Sequence, residues 1–532
     1  MDEWPTSAVT SSGHYDALIQ WREGTIGALL HLAAERWPDR AALQWPTADG
    51  LSTLTWSQVQ EEATAGAGLL RSVPDCHAPV AIYAPNSHSW YLAMWAAALA
   101  GRPLVPINPA LTVSELNGLL ADSNASTVLA AKSYRGRDLV GLARAAAVEL
   151  ASVNEIWCVD DWALNATPRA ERRDDVLPTD TFTIQYTSGT TGAPKGVVLS
   201  HRVCLNAAAA MNPVLEPSDH EIYCSALPLH HIGALLAHAL AMTCIGGTYV
   251  MLDGFNAQEF LATAANSRAT ILGGVPTMYL RLLDETSQHP VALPQVRVLM
   301  IGGADIPEPL IARLEEHFAA AASVMYGQTE APAITQTRLG DPTSIKATTV
   351  GRAMAHREVR IIDTATSQPA AVGEIGEVCV RSPIRMDRYH NRPEATSATI
   401  DSDGWLHTGD LGSLDAEDRL RIHGRIRDMV VRGGENIYSR EVEDAIESHP
   451  DVAQAVVMGL PDSHWGEIVA AAVVPCAGAT LNEEVLSDWV SQRLAAYKRP
   501  SRWRFVNEVP MTESGKPQKF KIVEAMLSDE AP

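Results

Sequence analysis

Tyr186–His201 reads YTSGTTGAPKGVVLSH. The run Phe182–Thr187 predicts a strand, and after it a loop of Ser, Thr and Gly leads to Lys195. Glycines let a backbone approach a ligand closely and take up φ > 0, so hydroxyls and N–H groups can converge on phosphate oxygens. Lys195 supplies a point charge for that phosphate. The loop is not a Walker A motif, which needs Gly directly before the Lys and Ser or Thr directly after it. Here Pro194 precedes Lys195 and Gly196 follows. The plain alternative is a flexible surface turn, and the order of these residues argues against it.

On both sides of this loop, strand-like and helix-like segments alternate through the first 330 residues. Pro79–Pro85, Leu104–Ile107, Ser126–Ala131, Glu155–Asp160 and Val296–Ile301 predict strands. Ser87–Ala100 and Glu308–Phe318 predict helices. The alternation implies an α/β fold, with parallel sheets covered by helices. Residues 350–425 change character: Glu358–Asp363, Gly376–Val380 and Arg419–His423 are short β-rich runs between turns, a small barrel-like or open subdomain. From about Met429 a compact α+β unit follows, with helices at Arg440–Ser448 and Asn482–Leu494 and strands at Val452–Gly459 and Ile468–Pro475. The expected domains are 1–426 and 427–532, divided near Arg425–Asp428.

Composition excludes several classes. The chain has 532 residues, 46% apolar, with 41 basic against 63 acidic side chains, a net charge of −22. Such acidity repels nucleic acid backbones and anionic bilayers. The longest apolar run, Trp90–Ala100, is too short to span a bilayer. Seven dispersed cysteines without a C-x-x-C pair argue for a reducing compartment. With an acidic, polar N-terminus, they make the cytoplasm the expected location. Only seven of the basic residues are lysines, including Lys195 and Lys516.

TSGTTGAPKG resembles the phosphate loop of the AMP-forming acyl-CoA synthetases, the superfamily that includes peptide-synthetase adenylation domains and luciferase. Further motifs similar to that family's follow in its order. They are PLHHIG (Pro228–Gly233), GGVPTMY (Gly273–Tyr279), GGADIP (Gly302–Pro307) and YGQTE (Tyr326–Glu330). GEIGEVCVR (Gly373–Arg381), DGWLHTGD (Asp403–Asp410), HGRIRDMVVRGGENIYSREVE (His423–Glu443) and PMTESGK (Pro510–Lys516) complete the set. The resemblance covers roughly residues 25–525.

The resemblance implies a large adenylating domain and a small mobile lid, with ATP, Mg²⁺ and coenzyme A as cofactors. It implies phosphate contacts from Thr187, Ser188, Gly189, Thr190, Thr191, Gly192 and Lys195, with Thr329 beside them. Gly302, Gly303 and Ala304 match cofactor-binding positions, and Tyr326 matches the ring that stacks on adenine; Gly273–Gly274 and Gly302–Gly303 leave room for a bulky or long apolar acid. Asp410 and Arg425 match the ribose contacts, and Glu330 matches the residue that helps hold Mg²⁺, a hard cation that takes carboxylate oxygen. Lys516 matches the lysine bridging the substrate carboxylate and the α-phosphate, His231 the histidine near the acyl carbonyl. Arg427 takes the hinge position, and Gly433 and Gly434 the loop lining the pantetheine tunnel. Ser439 stands where relatives usually carry Pro.

Amino-acid-activating relatives carry an Asp before the acid pocket, whereas here Cys224–Leu236 reads CSALPLHHIGALL, with no carboxylate. Burying an ammonium unpaired would cost several kcal/mol. The expected activity is therefore ATP-dependent conversion of a non-amino carboxylic acid, apolar and with room for bulk, to acyl-AMP, followed by thioester formation with coenzyme A. A ligase passing the adenylate to a carrier protein, a luciferase-like oxygenase and a non-catalytic nucleotide-binding protein are the alternatives. Lys519 and Lys521 are expected on a solvated face, and Trp405 and Trp465 in packing.

Overall fold

The computed structural model describes residues 11–12, 21–161, 175–187, 194–217, 220–303, 306, 308–433, 435–462, 464–511 and 517–528. The chain divides into two compact units. The larger comprises Ser12–Glu358 and Val380–Leu406; the smaller comprises Met1–Ser11, Val359–Cys379 and His407–Pro532.

Two sheets build the larger unit. One has seven strands, in the order Arg388–Tyr389, Lys195–Ser200, Thr181–Thr187, Leu104–Ile107, Val80–Tyr83, Thr127–Ala130 and Glu155–Cys158. Its members from Thr181–Thr187 to Glu155–Cys158 run parallel, and Lys195–Ser200 returns antiparallel. Val80–Tyr83, Leu104–Ile107 and Thr127–Ala130 are buried at every position. That explains their unbroken apolar sequence, since strands covered on both faces do not alternate. The His88–Ala100 helix is buried almost all round and packs against Trp56–Arg71. Ser87 caps its start by accepting from the Trp90 N–H, and Gly101 ends it at φ 68°.

The second sheet has nine strands, with Ala321–Tyr326, Val298–Gly302, Ile271–Gly274, Ile222–Ser225 and Thr248–Met251 as adjacent parallel members. Parallel pairing brings their carboxyl ends to one edge. Arg352–Ala353 joins this sheet, so the β-rich segment expected from residue 350 starts at Glu358.

In the smaller unit, Glu358–Ile362, Gly376–Arg381, Trp405–Leu414 and Leu420–Arg425 are neighbours in a five-stranded sheet. A second sheet contains Val430–Arg432, Gly466–Pro475, Val452–Asp462 and Arg502–Phe505. The Ser439–Glu447 helix buries Val442, Ala445 and Ile446, at the i, i+3, i+4 spacing that one helix face requires. They join Val457, Val469, Val473, Leu486 and Val490 in one core. The second helix is shorter than its pattern predicts, Glu483–Ser491, with Asn482 capping it.

Candidate functional site

The carboxyl ends of the parallel strands collect several of the expected residues. In open α/β sheets that edge is where ligands bind. Tyr326 ends one strand, and its carbonyl accepts from the Ile334 N–H at 2.8 Å. Gly302 ends the neighbouring strand opposite Met325, and a Cβ there would stand 3.0 Å from the Met325 carbonyl oxygen. Gly303 follows at φ 84°. Gly273, on the next strand, faces Tyr223: a Cβ would lie 2.4 Å from the ring. Only glycine fits there.

His231 lies between the Ile222–Ser225 strand and a π-helix, Ala234–Leu240. Its Nδ1 accepts from the Gly233 N–H at 3.2 Å. The proton of the neutral ring is therefore on Nε2, where it can be donated to an oxygen. Burial, with His231 close by, pushes His230 and His238 down to about 3. Both are neutral at physiological pH.

Lys195 and Thr187 are register partners at the loop end of an antiparallel hairpin, where the first strand stops and the second begins. Residue 196 must be glycine: a Cβ would meet the Ile184 side chain at 2.9 Å and the Tyr186 ring at 3.2 Å. The Lys195 ammonium stands 5.1 Å from the centroid of the Tyr389 ring. Tyr389 is placed by the Arg388–Tyr389 strand pairing with Val197–Val198, and its hydroxyl donates to Glu330 Oε1 at 2.8 Å. Burial, with that carboxylate beside it, pushes the Tyr389 phenol above its ordinary range, so it stays a neutral donor. The result is a continuous chain: hairpin lysine, aromatic ring, carboxylate. Thr329, next to Glu330, is half-buried.

In the smaller unit, Asp410 and Arg425 are paired across adjacent strands, with Arg425 Nε 3.1 Å from Asp410 Oδ1. Asp410 is 5% exposed and its N–H donates to Thr408 Oγ1 at 3.1 Å. Arg427 sits in a 3₁₀ turn, Ile426–Asp428, 3.6 Å from the Asp428 carboxylate. Ser439 donates its hydroxyl to the Asp428 carbonyl, tying down the segment after that turn. Gly433 has φ 61°, and a Cβ on it would come 2.8 Å from the Trp465 ring. Trp465 packs there while 46% exposed, and Trp405 is buried beneath the Arg381 guanidinium.

Ser188, Gly189, Thr190, Thr191, Gly192, Ala304, Gly434 and Lys516 lie outside the described residues. Lys519 corrects an expectation. Rather than facing solvent, it donates to Glu443 Oε1 at 3.1 Å and to the Val457 carbonyl at 2.9 Å. A helix carrying apolar residues on one side brings its first lysine back over the domain core. Lys521 is exposed, as its pattern predicts.

Two positioning residues escape the sequence reading. Tyr389 is one; its only local signal is a lone aromatic before the helix-starting Pro393. Asn86 is the other. Buried, it donates to the Leu227 and Leu252 carbonyls at 2.9 and 3.0 Å and accepts from the Leu229 N–H at 2.7 Å. It thus pins the segment that carries His230 and His231.

The chain matches the AMP-binding enzyme family over residues 30–390 and the AMP-binding enzyme C-terminal domain over 441–516. A 3-[(3aS,4S,7aS)-7a-methyl-1,5-dioxo-octahydro-1H-inden-4-yl]propanoyl:CoA ligase of Rhodococcus jostii is 34% identical, covering 89% of this chain and 94% of that protein. A feruloyl-CoA synthase of Amycolatopsis is 32% identical, over 91% and 97% of the two chains. Among solved structures, o-succinylbenzoate CoA synthetase from Bacillus subtilis, in complex with its acyl-adenylate intermediate, superimposes with a TM-score of 0.82. It is 29% identical, over 94% of this chain and 98% of that one.

Proposed function

We propose, from the premise that this chain belongs to the AMP-binding enzyme family and is an AMP-forming acid–thiol ligase, that its acid is a non-amino carboxylic acid with an apolar body. The enzyme converts a carboxylic acid and ATP to acyl-AMP and pyrophosphate, then transfers the acyl group to coenzyme A. The chain Lys195–Tyr389–Glu330 is the observation that carries our reading of the first step. It sets an ammonium for phosphate oxygens at a fixed offset from a carboxylate.

In this reading Glu330 holds Mg²⁺. Its carboxylate suits the ion because Tyr389 engages one oxygen and fixes the group's orientation. Held there, the ion would neutralise triphosphate charge. Lys195 and Thr187 take phosphate oxygens, and Thr329 supports them. Tyr326 stacks on adenine against the backbone of Gly302 and Gly303. Asp410 accepts from the ribose hydroxyls, and Arg425 holds that carboxylate. His231, protonated on Nε2, donates toward the acid's carboxyl oxygen. Lys516 bridges this carboxyl and the α-phosphate as the acyl–oxygen–phosphorus link forms and pyrophosphate leaves. Preorganised donors of this kind are worth roughly 10²–10³ in rate each. Residues 427–532 form the lid, with Arg427 its hinge and Gly433 lining the path of the thiol arm.

The acid's character rests on what surrounds its pocket segment. Glu221, the carboxylate preceding Cys224–Leu236, is buried and held by Arg297 at 2.6 Å, so it cannot serve a substrate ammonium. Tyr223 shares an apolar core with Met211, Ala237, Met242, Ile271 and Met300, and its ring stacks on that of His238, centroids 4.4 Å apart. The enzyme works in the cytoplasm in this reading, supported by seven cysteines that form no disulfide and, among the described residues, no helix long and apolar enough to cross a membrane.

Acid-dependent ATP–pyrophosphate exchange tests the proposal. Aliphatic and aryl acids are expected to support exchange and, with coenzyme A added, thioester formation. Amino acids are expected to support neither. Exchange driven best by amino acids would overturn the assignment of the acid.

A further inference from the structure

Independently of that reading, the smaller unit contains a second cluster of chemically active side chains. Glu377 and Cys379 alternate on one strand, so their side chains share a face of the sheet. His407 lies on the neighbouring Trp405–Leu414 strand. One ligand atom from each, Glu377 O, Cys379 Sγ and a His407 ring nitrogen, lie within 4.8 Å of one another. His407 Nδ1 is 2.8 Å from Glu377 Oε2 and 3.4 Å from Cys379 Sγ.

The convergence is informative. In a nucleophile–base–orienter relay, the thiol and the carboxylate would face opposite ring nitrogens. Here both face Nδ1. One N–H can serve only one of them well, whereas a cation in the gap serves all three. We propose that Glu377, Cys379 and His407 bind a borderline-soft divalent cation, zinc by ligand type, separate from the Mg²⁺ that accompanies ATP. Thiolate, imidazole and carboxylate are the zinc donor set, and a thiolate does not suit Mg²⁺ or Ca²⁺.

Usual zinc–ligand lengths give tetrahedral edges of about 3.3–3.6 Å. The Sγ–Nδ1 separation already fits, and the Glu377 oxygen must retreat by about half an ångström. On binding, the Cys379 thiol loses its proton to solvent and a Zn–S bond forms. His407 coordinates as neutral imidazole through Nδ1, with its proton on Nε2. Thiolate and carboxylate cancel the double positive charge, and water takes the fourth position. Cys379 is buried, while the side chains of Glu377 and His407 are 16% and 31% exposed, so the cation arrives from their side.

Occupancy has a place to act. Glu377 Oε1 accepts from the Gly409 N–H at 3.1 Å, and Thr408 Oγ1 donates to the Val378 carbonyl at 2.7 Å. Both bonds brace the stretch of strand that presents Asp410. A cation there would clamp that stretch through Glu377 and His407.

The test uses the tag-free, chelator-stripped full chain, titrated with Zn²⁺ and, separately, Co²⁺. We expect one tight equivalent of zinc, unchanged by millimolar Mg²⁺, a near-ultraviolet thiolate-to-cobalt band, and a rise in Tm with bound zinc. Cys379→Ser should abolish the band and weaken zinc at least a hundredfold. Glu377→Gln, the milder change, should weaken zinc about tenfold and keep the band. Cys476→Ser, elsewhere in the chain, should change neither. Wild-type protein without the band, or Cys379→Ser protein binding zinc as before, would overturn the site. Should Cys379→Ser fail to fold, an unaltered zinc affinity in Glu377→Gln would do the same.

Discussion

Replacing Tyr389 by Phe removes one oxygen atom and leaves the ring in place. The lost contact is the 2.8 Å hydrogen bond from its hydroxyl to Glu330 Oε1. Hydrogen bonds to charged groups contribute about 1.5–3 kcal/mol, and each 1.36 kcal/mol is a factor of ten in rate. Acyl-AMP formation should therefore fall about tenfold to about a hundredfold. The Lys195 ammonium, 5.1 Å from the same ring, keeps its cation–π contact in Tyr389→Phe. It loses that contact in Tyr389→Leu, at a further cost of about 0.5–2 kcal/mol. The assay is acid-dependent pyrophosphate exchange at varied Mg²⁺. The Tyr389→Phe enzyme should need more Mg²⁺ for half-maximal rate, because its carboxylate is no longer held. A cycle with Glu330→Gln completes the argument: acting through one carboxylate, the two changes together should cost much less than their sum. Exchange within twofold of wild type, or strict additivity in the cycle, would refute this role for Tyr389.

Asp410→Asn should raise the KM for ATP about tenfold or more and leave that for the acid unchanged, since Arg425 then faces an uncharged partner; initial-rate kinetics with each substrate varied decide this. Arg102, 1% exposed, donates to the Ala78, Leu70 and Pro79 carbonyls and to Ser126 and Thr127. Arg102→Met strands three buried carbonyls and should cost about 3–5 kcal/mol in urea unfolding, with active-site chemistry intact in the folded fraction. Burial pushes Glu447 up to about 7 from 4.5, with Arg440 opposing. A raised folded-state value means that its stabilising proton is fully held below about 4.5 and lost as pH rises through about 7. Unfolding at pH 5 and pH 8 should show Glu447→Gln free of a wild-type decline of order 1–3 kcal/mol.

Sequence carries much of the fold because the buried parallel strands announce themselves as unbroken apolar runs. Val80–Tyr83 and Leu104–Ile107 lie where the pattern places them. Motif chemistry places Thr187, Lys195, Gly302 and Tyr326 at strand ends, and parallel pairing brings the two in the nine-stranded sheet, Gly302 and Tyr326, to one edge. What pattern cannot show is long-range polar contact. Tyr389 reaches Glu330 across 59 residues, and Asn86 reaches Leu227 across 141. Arg102 reads as a turn residue, yet it satisfies the ends of several strands and helices at once. Lys519 misleads for the same reason, since its helical spacing gives no hint of Glu443, 76 residues away.

In the proposed reading, the phosphate contacts and the acid contacts sit on different sheets of the larger unit, with the adenine contacts sharing the sheet of the acid. The phosphate hairpin and Tyr389 belong to the seven-stranded sheet, while His231, Gly273, Gly302 and Tyr326 belong to strands or adjoining loops of the nine-stranded sheet. The bond between Tyr389 and Glu330 stitches one to the other. Such separation makes the scaffold evolvable in pieces. In the proposed reading, substitutions beside His231 can change which acid is accepted while the hairpin that carries Lys195, built into the other sheet, is inherited unaltered.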